Sequence, residues 1–523
     1  MKLLDHRRAT RKTGRMPDSA SLAHGSKLLC ICCIALVMRS GARPEPARAE
    51  SAAPVPTAPS ESAATPSPAA APRSPPSARE HDWPGFGWDA ARSSAPGVPA
   101  GIDARNVSSL VRQQVELEGI VDASVIYLHD VRVKGAAHDA LFMTTTYGKT
   151  IAVDAADGSI LWTYTPPGFD DWEGTAQITN STPVADPGRE FIYAASPDGR
   201  IQKLAVSDGR ALWRTAITLL PRREKIASPL GFWHGRVIAV TGGYIGDAPP
   251  YQGHVAIIDG ESGRLLHVWN SLCSDRKGLI APESCPESGS AIWGRAGAVI
   301  DSATGNIFVA TGNGRWDGRT HWGDATLQLD SNATELLGNY TPPNTDELAA
   351  RDEDVGSTSP VLLGGGYIAQ GGKDERIRVL SEELVRGPAA HREPPLQEVP
   401  TPSGTRLFTA PALLRTARGT WLFAADNGGT AAWSFSSGKL KLVWGNSNEG
   451  TSPVVAGGLL YVYDPGGDLR IYDALSGREL AKLDAGGGHW NSPIVVDGMI
   501  ALPTGGSRRG RTGGGVLDIW RVR

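Results

Sequence analysis

A small or polar residue, a proline and an apolar run recur six times in this chain. No other feature constrains the fold as strongly. The copies are Ser181-Thr182-Pro183-Val184, Ser228-Pro229-Leu230, Ser359-Pro360-Val361, Ala410-Pro411-Ala412, Ser452-Pro453-Val454 and Ser492-Pro493-Ile494. Successive prolines stand 46 residues apart (183 to 229), then 51 (360 to 411), 42 (411 to 453) and 40 (453 to 493). The gap of 131 between Pro229 and Pro360 leaves room for two further units with longer loops. Proline lacks a backbone donor, so within a sheet it belongs at the first residue of a strand or at an edge.

A second element alternates with the first: a strand, a tight Asp-Gly or Ser-Gly turn, and another strand ending in Trp. Val153–Trp162 carries Asp157-Gly158, Leu204–Trp213 carries Asp208-Gly209, and Ile258–Trp269 carries Ser262-Gly263. Phe435–Trp444 and Tyr472–Leu483 repeat it with Ser437-Gly438 and Ser476-Gly477. Such dipeptides between alternating runs signal hairpins. No window sustains a 3.6-residue period, and Gly or Pro interrupts every apolar run, so a helical reading fails. Four-stranded units repeating every 40–50 residues specify an all-β, eight-bladed β-propeller. The copies are 141–166, 191–215, 237–269, 307–340, 367–384, 421–444, 459–484 and 497–521. Ile120–Leu128 is apolar enough for the first inner strand, and the 83–116 region is placed to close the ring beside the C-terminal strands. Trp162, Trp213, Trp269 and Trp444 are expected to pack between neighbouring blades.

The chain is organised as 1–49, 50–80 and 81–523. In the first segment Arg7, Arg8, Arg11, Lys12, Arg15 and Lys27 precede the apolar run Leu28–Met38, and Ala47-Arg48-Ala49 offers a small-residue cleavage site. This is the pattern of a signal peptide or an N-terminal anchor. Eleven apolar residues fall short of the roughly 20 that span a bilayer. Any membrane contact is therefore expected only through the N-terminus. Cys30, Cys32 and Cys33 lack the small preceding residue that a lipoprotein site wants. Residues 50–80 are almost entirely Ala, Pro and Ser and read as a disordered linker.

The body retains two cysteines, Cys273 and Cys285, which an exported protein would oxidise to a disulfide. A net charge of −3 and the lack of a basic stripe interleaved with aromatics argue against a nucleic-acid partner. The sequence also contains no nucleophile elbow, phosphate loop or His-Glu-x-x-His motif.

Chemistry-bearing residues concentrate between Ile292 and Lys373, in Ile292-Trp293-Gly294-Arg295, Ala310–Trp316, His321–Leu327, Asp352–Pro360 and Gly371–Asp374. A Trp face can carry a flat ligand, Asn and Asp oxygens suit a hard cation, and Lys can reach an anionic or carbonyl oxygen. Spacing alone equally allows blade-end turns with core tryptophans. His321 is expected in a solvated turn.

The repeat Ala-x-Asp-Ala-x-x-Gly-x-x-x-Trp, and the segment Trp83–Ser94 with Asn106-Val107-Ser108-Ser109-Leu110, resemble those of the pyrroloquinoline quinone (PQQ) dehydrogenases. The resemblance covers essentially 83–523. Ile292-Trp293-Gly294 with Ala310–Gly314 looks like the family's quinone-stacking and calcium-binding stretch. By that match Trp293 would lie under the quinone, Asn313 would ligate Ca²⁺, Lys373 would meet the quinone carbonyls, and Asp352 or Asp354 would be the catalytic base. The family's adjacent Cys pair is absent near Thr144–Tyr147, and Asp198 stands where its calcium-binding Glu belongs. No Cys-x-x-Cys-His is present to attach haem. The resemblance implies two functions: a periplasmic PQQ- and Ca²⁺-dependent dehydrogenase of an alcohol or polyol, or a non-catalytic propeller binding protein or carbohydrate at the cell envelope.

Overall fold

The computed structural model describes residues 81–97, 100–505 and 514–523; the segments 1–49 and 50–80 lie outside the described residues. Eight four-stranded antiparallel sheets follow one another along the chain. Blade 1 occupies 126–164, blade 2 184–216, blade 3 231–270 and blade 4 299–340. Blades 5, 6 and 7 occupy 361–400, 412–446 and 454–484. Blade 8 takes its three inner strands from 494–522 and its outer strand, Leu110–Leu117, from the other end of the body. That strand pairs in full register, from Leu110 opposite Val522 to Leu117 opposite Gly515. Closure in this way leaves no open sheet edge between the chain's ends. The Pro229–Pro360 gap holds blades 3 and 4 with long connections.

The repeat carries out two packing tasks. Each of the six prolines immediately precedes, or stands within two residues of, the inner strand of its blade. Each outer-strand Trp docks against the next blade. The Trp162 indole donates to Val206 O at 2.9 Å, Trp213 to Gly260 O at 3.3 Å and Trp444 to Ala474 O at 3.0 Å. The ring then lies flat against the glycine of the neighbouring turn. A Cβ at Gly209 would stand 2.6 Å from the Trp162 ring, and one at Gly477 2.5 Å from Trp444. Both glycines also have positive φ, at 74° and 72°, so the Gly of the Asp-Gly and Ser-Gly turns is required twice over. Trp269 is buried in the apolar layer shared by blades 3 and 4. Similar apolar layers join each adjacent pair of blades, and the largest runs through blades 7, 8 and 1 across the closure.

The segment before Leu110 does more than lead into the closing strand. Residues 83–97 run through the central channel and bond the inner strands, whose inward edges have no ladder partner. Trp83 exchanges bonds of 2.8 and 2.9 Å with Tyr127 of blade 1. Pro84 O, Ala90 O, Ser93 O and Ser94 O accept from Ala185, Ile300, Leu413 and Val455, in blades 2, 4, 6 and 7. Buried Arg92 donates to Phe86 O, to Leu230 O beside blade 3 and to Ala298 O. Burial pulls its pKa down to about 10, opposed by Asp89. Unpaired backbone groups in a dry channel would each cost free energy, and this strap satisfies them.

Antiparallel sheets fix which residues share a face. In every blade, the loop arriving at the inner strand and the turn between the second and third strands emerge on the same side. Trp293, Asp352 and Asp354 lie in arriving loops, and Asn313, Lys373 and Asp198 lie in second-to-third turns. All six candidate residues therefore sit on one mouth of the ring.

Candidate functional site

The loop into blade 5 carries the seven-residue helix α1, Thr345–Arg351, the one α-helix among the described residues. Asp352 caps its C-terminus in the left-handed conformation, φ 55°. This turn sends Asp352 and Asp354 into different surroundings, although they are two residues apart. The Asp352 side chain is 62% exposed and that of Asp354 only 4%.

Asp354 is the centre of the cluster. Its Oδ2 accepts the Trp293 indole N–H at 2.9 Å, and its Oδ1 lies 2.7 Å from Lys373 Nζ. Lys373 also meets Asp352 Oδ1 at 2.7 Å, and its ammonium stands 5.3 Å from the Trp293 ring centroid. Asp352 Oδ1 in turn accepts from Asn313 Nδ2 at 2.9 Å. These five sequence-predicted residues form one connected group.

Gly312 permits that closeness: a Cβ there would stand 2.6 Å from Asp354 Oδ2 and 3.1 Å from Trp293 Nε1. Gly356 does the same one layer down, where a Cβ would be 2.3 Å from the Thr311 carbonyl carbon. The turn of blade 4 and the loop into blade 5 thus touch backbone to backbone.

Burial raises the Asp354 pKa, and Lys373 opposes the rise. Burial works against the Lys373 charge, but Asp354 and Asp352 more than offset it and raise its pKa. Behind Asp354 lies Asp324, fully buried, with Oδ1 accepting from Val355 N at 3.3 Å and Oδ2 from Thr345 Oγ1 at 3.5 Å. Burial and then the Asp354 charge push its pKa well above the carboxylate range. The sequence displays Asp324 in His-Trp-Gly-Asp-Ala-Thr, but nothing in its spacing marks it as a partner of Asp354.

The exposed side of the cluster faces an aromatic row. Phe408, from the loop into blade 6, lies 6.2 Å from Trp293 and 6.1 Å from Trp490, from the loop into blade 8. His489 adjoins Trp490 and binds Asp122 Oδ2 at 2.9 Å. Arg295 donates to Asn180 O at 3.2 Å and Trp490 O at 2.8 Å, reaching toward blades 2 and 8 above Phe86. The sequence gives no role to Phe408, Trp490 or Arg295, because their roles arise from loops far apart in the chain.

The fit to a quinone and a cation can be judged from unpaired groups. Asn313 Oδ1 is buried with no hydrogen-bond partner. A buried acceptor left open beside two carboxylates suits a hard cation. Trp293 offers an aromatic face, and Lys373 stands above it. Asp198 belongs to a different set of contacts: it meets Arg214 at 2.6 Å and Arg200 at 3.5 Å, and accepts from Ser196 Oγ. Its charge is already countered by two guanidinium groups, so it does not fit a metal ligand. Thr144–Tyr147, where a Cys pair would cover the quinone, is buried, with Tyr147 Oη bonded to Thr175 O at 2.9 Å.

Cys273 and Cys285 form a disulfide in the long loop that delivers Trp293. His321 lies beside this disulfide rather than in a solvated turn, with Nδ1 held 3.0 Å from Asp317.

Eight radial four-stranded blades around a plugged channel, with one chemically dense mouth, define a propeller of the quinoprotein type. A family model described as outer membrane protein assembly factor BamB, built on PQQ repeats, matches residues 107–281 and 418–512, about half of the chain. The chain belongs to the PQQ-repeat β-propeller family, which is related to the quinoprotein alcohol dehydrogenases.

Among curated relatives, it is 22% identical over 207 residues to a polyvinylalcohol dehydrogenase of Sphingopyxis sp. (strain 113P3), covering 37% of this chain and 30% of that protein. It is 26% identical over 239 residues to quinohemoprotein alcohol dehydrogenase ADH IIB of Pseudomonas putida, covering 41% and 31%. The match thus spans about a third of the length of these relatives. Among solved structures, the quinohemoprotein alcohol dehydrogenase of Comamonas testosteroni superposes with a TM-score of 0.62 at 16% identity, covering 85% of this chain and 81% of that one. A europium-containing methanol dehydrogenase gives 0.63 at 14%, covering 84% and 98%. At these identities the structural likeness establishes the fold.

Proposed function

We propose that this chain is an exported propeller that binds PQQ with Ca²⁺ at the mouth of blades 4 and 5 and oxidises a small alcohol or polyol. The observation that carries this reading is the buried Trp293–Asp354–Lys373 contact set with the open Asn313 oxygen beside it. The disulfide agrees with export.

A bound quinone with its cation would supply the hydride acceptor. Trp293 would provide an aromatic face for the quinone. Its indole N–H, bonded to Asp354, fixes the angle between that face and the carboxylate. Asn313 Oδ1 and an acidic oxygen would hold the cation. Asp354 is the better base: it is buried, its pKa is raised toward the operating range, and Trp293 and Lys373 hold it in place. It would take the hydroxyl proton of the alcohol. Asp352, exposed and bonded to both Asn313 and Lys373, positions those two groups.

A second reading rests on Asp198 and Thr144–Tyr147, which replace a metal ligand and a quinone cover with an ion-paired carboxylate and a packed turn. It makes the chain a scaffold binding protein or carbohydrate at the envelope. Dye-linked oxidation of ethanol and 1,3-propanediol by the full chain with PQQ and Ca²⁺ separates the two. The dehydrogenase reading requires turnover that depends on both additions, and equal rates with and without PQQ would leave the scaffold.

A further inference from the structure

Beside the Trp293 loop, on the same mouth, a cavity of about 570 Å³ opens between the loops into blades 2 and 3 and the 241–253 turn of blade 3. Its wall carries Arg222, Arg223 and Lys225 together with Tyr244, Ile178 and Ile245. That volume lies within the range of small-molecule sites. Neither arginine forms an ion pair among the described residues. Arg222 stacks 4.6 Å over the Trp172 ring instead, which leaves its N–H groups free.

Lys225 is buried in the wall, held by Asn180 Oδ1. Burial brings its pKa down to about 8, opposed by Asp122. Three of the neighbouring carboxylates are engaged elsewhere. Glu224 faces inward to His254 at 3.2 Å and to Thr218; Asp198 is held by Arg214, and Asp247 accepts from Tyr251 at 3.1 Å. The rim is apolar and open to water at Ile245, which is 82% exposed. Two arginines without ion-pair partners, beside a lysine that Asn180 links to Asp122, form beneath an apolar lip a receptor for a ligand with an anionic head and an apolar body.

We propose that this cavity binds a small organic carboxylate through Arg222, Arg223 and Lys225, with its apolar part against Ile178 and Ile245. Lys225 pairs with Gly242, and a Cβ at Gly242 would stand 3.3 Å from that of Trp293. The cavity therefore adjoins the aromatic face. Resting on the dehydrogenase reading above, the alcohol favoured among those oxidised is then a hydroxy acid, whose carboxylate anchors here.

The test is calorimetry on the full chain with hexanoate, hexan-1-ol and PQQ, using the parent and the double variant Arg222→Ala/Arg223→Ala. Both arginines are exposed, and equal thermal midpoints would show that the variant is folded. The expected result is at least tenfold tighter binding of hexanoate than of hexan-1-ol. The double variant should lose about tenfold in hexanoate affinity, corresponding to about 1.4 kcal/mol, and 0.5 M NaCl should weaken the parent similarly. PQQ affinity should be unchanged in the variant. Hexanoate binding without PQQ binding would support this site while removing the dehydrogenase reading. Equal affinity for acid and alcohol would overturn the proposal. So would a variant that loses PQQ rather than hexanoate, because the cations would then serve the cofactor.

Discussion

Blades 2 and 4 place a short polar side chain at the same point of the ring, the turn between their second and third strands, and give it opposite surroundings. Asp198 in blade 2 is enclosed by Arg200 and Arg214. Asn313 in blade 4 keeps a buried oxygen unpaired and faces Asp352. The repeat sets where such a residue sits, and its neighbours decide whether a cation is welcome. Arg200 and Arg214 come from the strands that follow in blade 2, whereas Asp352 and Asp354 come from the inserted loop with α1. The contrast teaches that a motif position on a propeller carries chemistry only through the loop packed against it.

The strongest way to break this comparison is to remove the buried carboxylate. Asp354→Asn keeps the shape and the Trp293 contact but cannot take a proton. Steady-state alcohol oxidation by the loaded protein should fall by roughly 10²–10⁴-fold, the usual contribution of a positioned base, with PQQ affinity nearly retained. A loss below tenfold would move the base elsewhere, Asp352 first.

Next in size is the direct contrast of the two turns. Asn313→Ala should weaken the Ca²⁺ dependence of PQQ binding by about tenfold, or about 1.4 kcal/mol, as read by titrating Ca²⁺ at fixed PQQ. Asp198→Ala should change the same titration less than about twofold, because its carboxylate already has partners. If Asp198→Ala proves the more damaging, blade 2 holds the cation and the comparison is reversed.

The smallest effect is a pH shift. Asp354 must be ionised to act, so activity should rise with pH through its raised pKa. Asp352→Asn removes the neighbouring carboxylate that, after burial, raises it and should move that limb to lower pH by about half a unit. The sign for stability follows the same linkage. The folded pKa of Asp324 lies above its unfolded value, so its contribution is fully present below the unfolded pKa and lost as pH rises through the folded one. The Tm of Asp324→Asn relative to the parent should therefore increase between pH 4 and pH 8. A constant difference would show that folding does not shift the Asp324 pKa.

The ring was legible because its signals are local and periodic. Pro before six of the eight inner strands and Gly under Trp162, Trp213 and Trp444 are short-range requirements, and each repeats often enough to count. The strap 83–97 escaped, since a segment that bonds to six blades in turn has no period of its own. Trp293, Asn313 and Lys373 stood out only through the family resemblance; spacing alone left them as turn residues. Asp352 and Asp354 were inseparable in sequence, because a left-handed helix cap divides one into solvent and the other into the core. Asp198 looked like a candidate ligand until the arginines that enclose it were seen in three dimensions.

The central claim is that the mouth of blades 4 and 5 holds a quinone against Trp293. Its most direct test is calorimetric titration of PQQ into the full chain at millimolar Ca²⁺, for the parent and Trp293→Ala. The account predicts one site per chain in the parent. It predicts a loss of about tenfold to a hundredfold in the variant, the worth of one stacked ring at roughly 1–3 kcal/mol. No heat and no absorbance change with the parent would contradict it and leave Trp293 a packing residue.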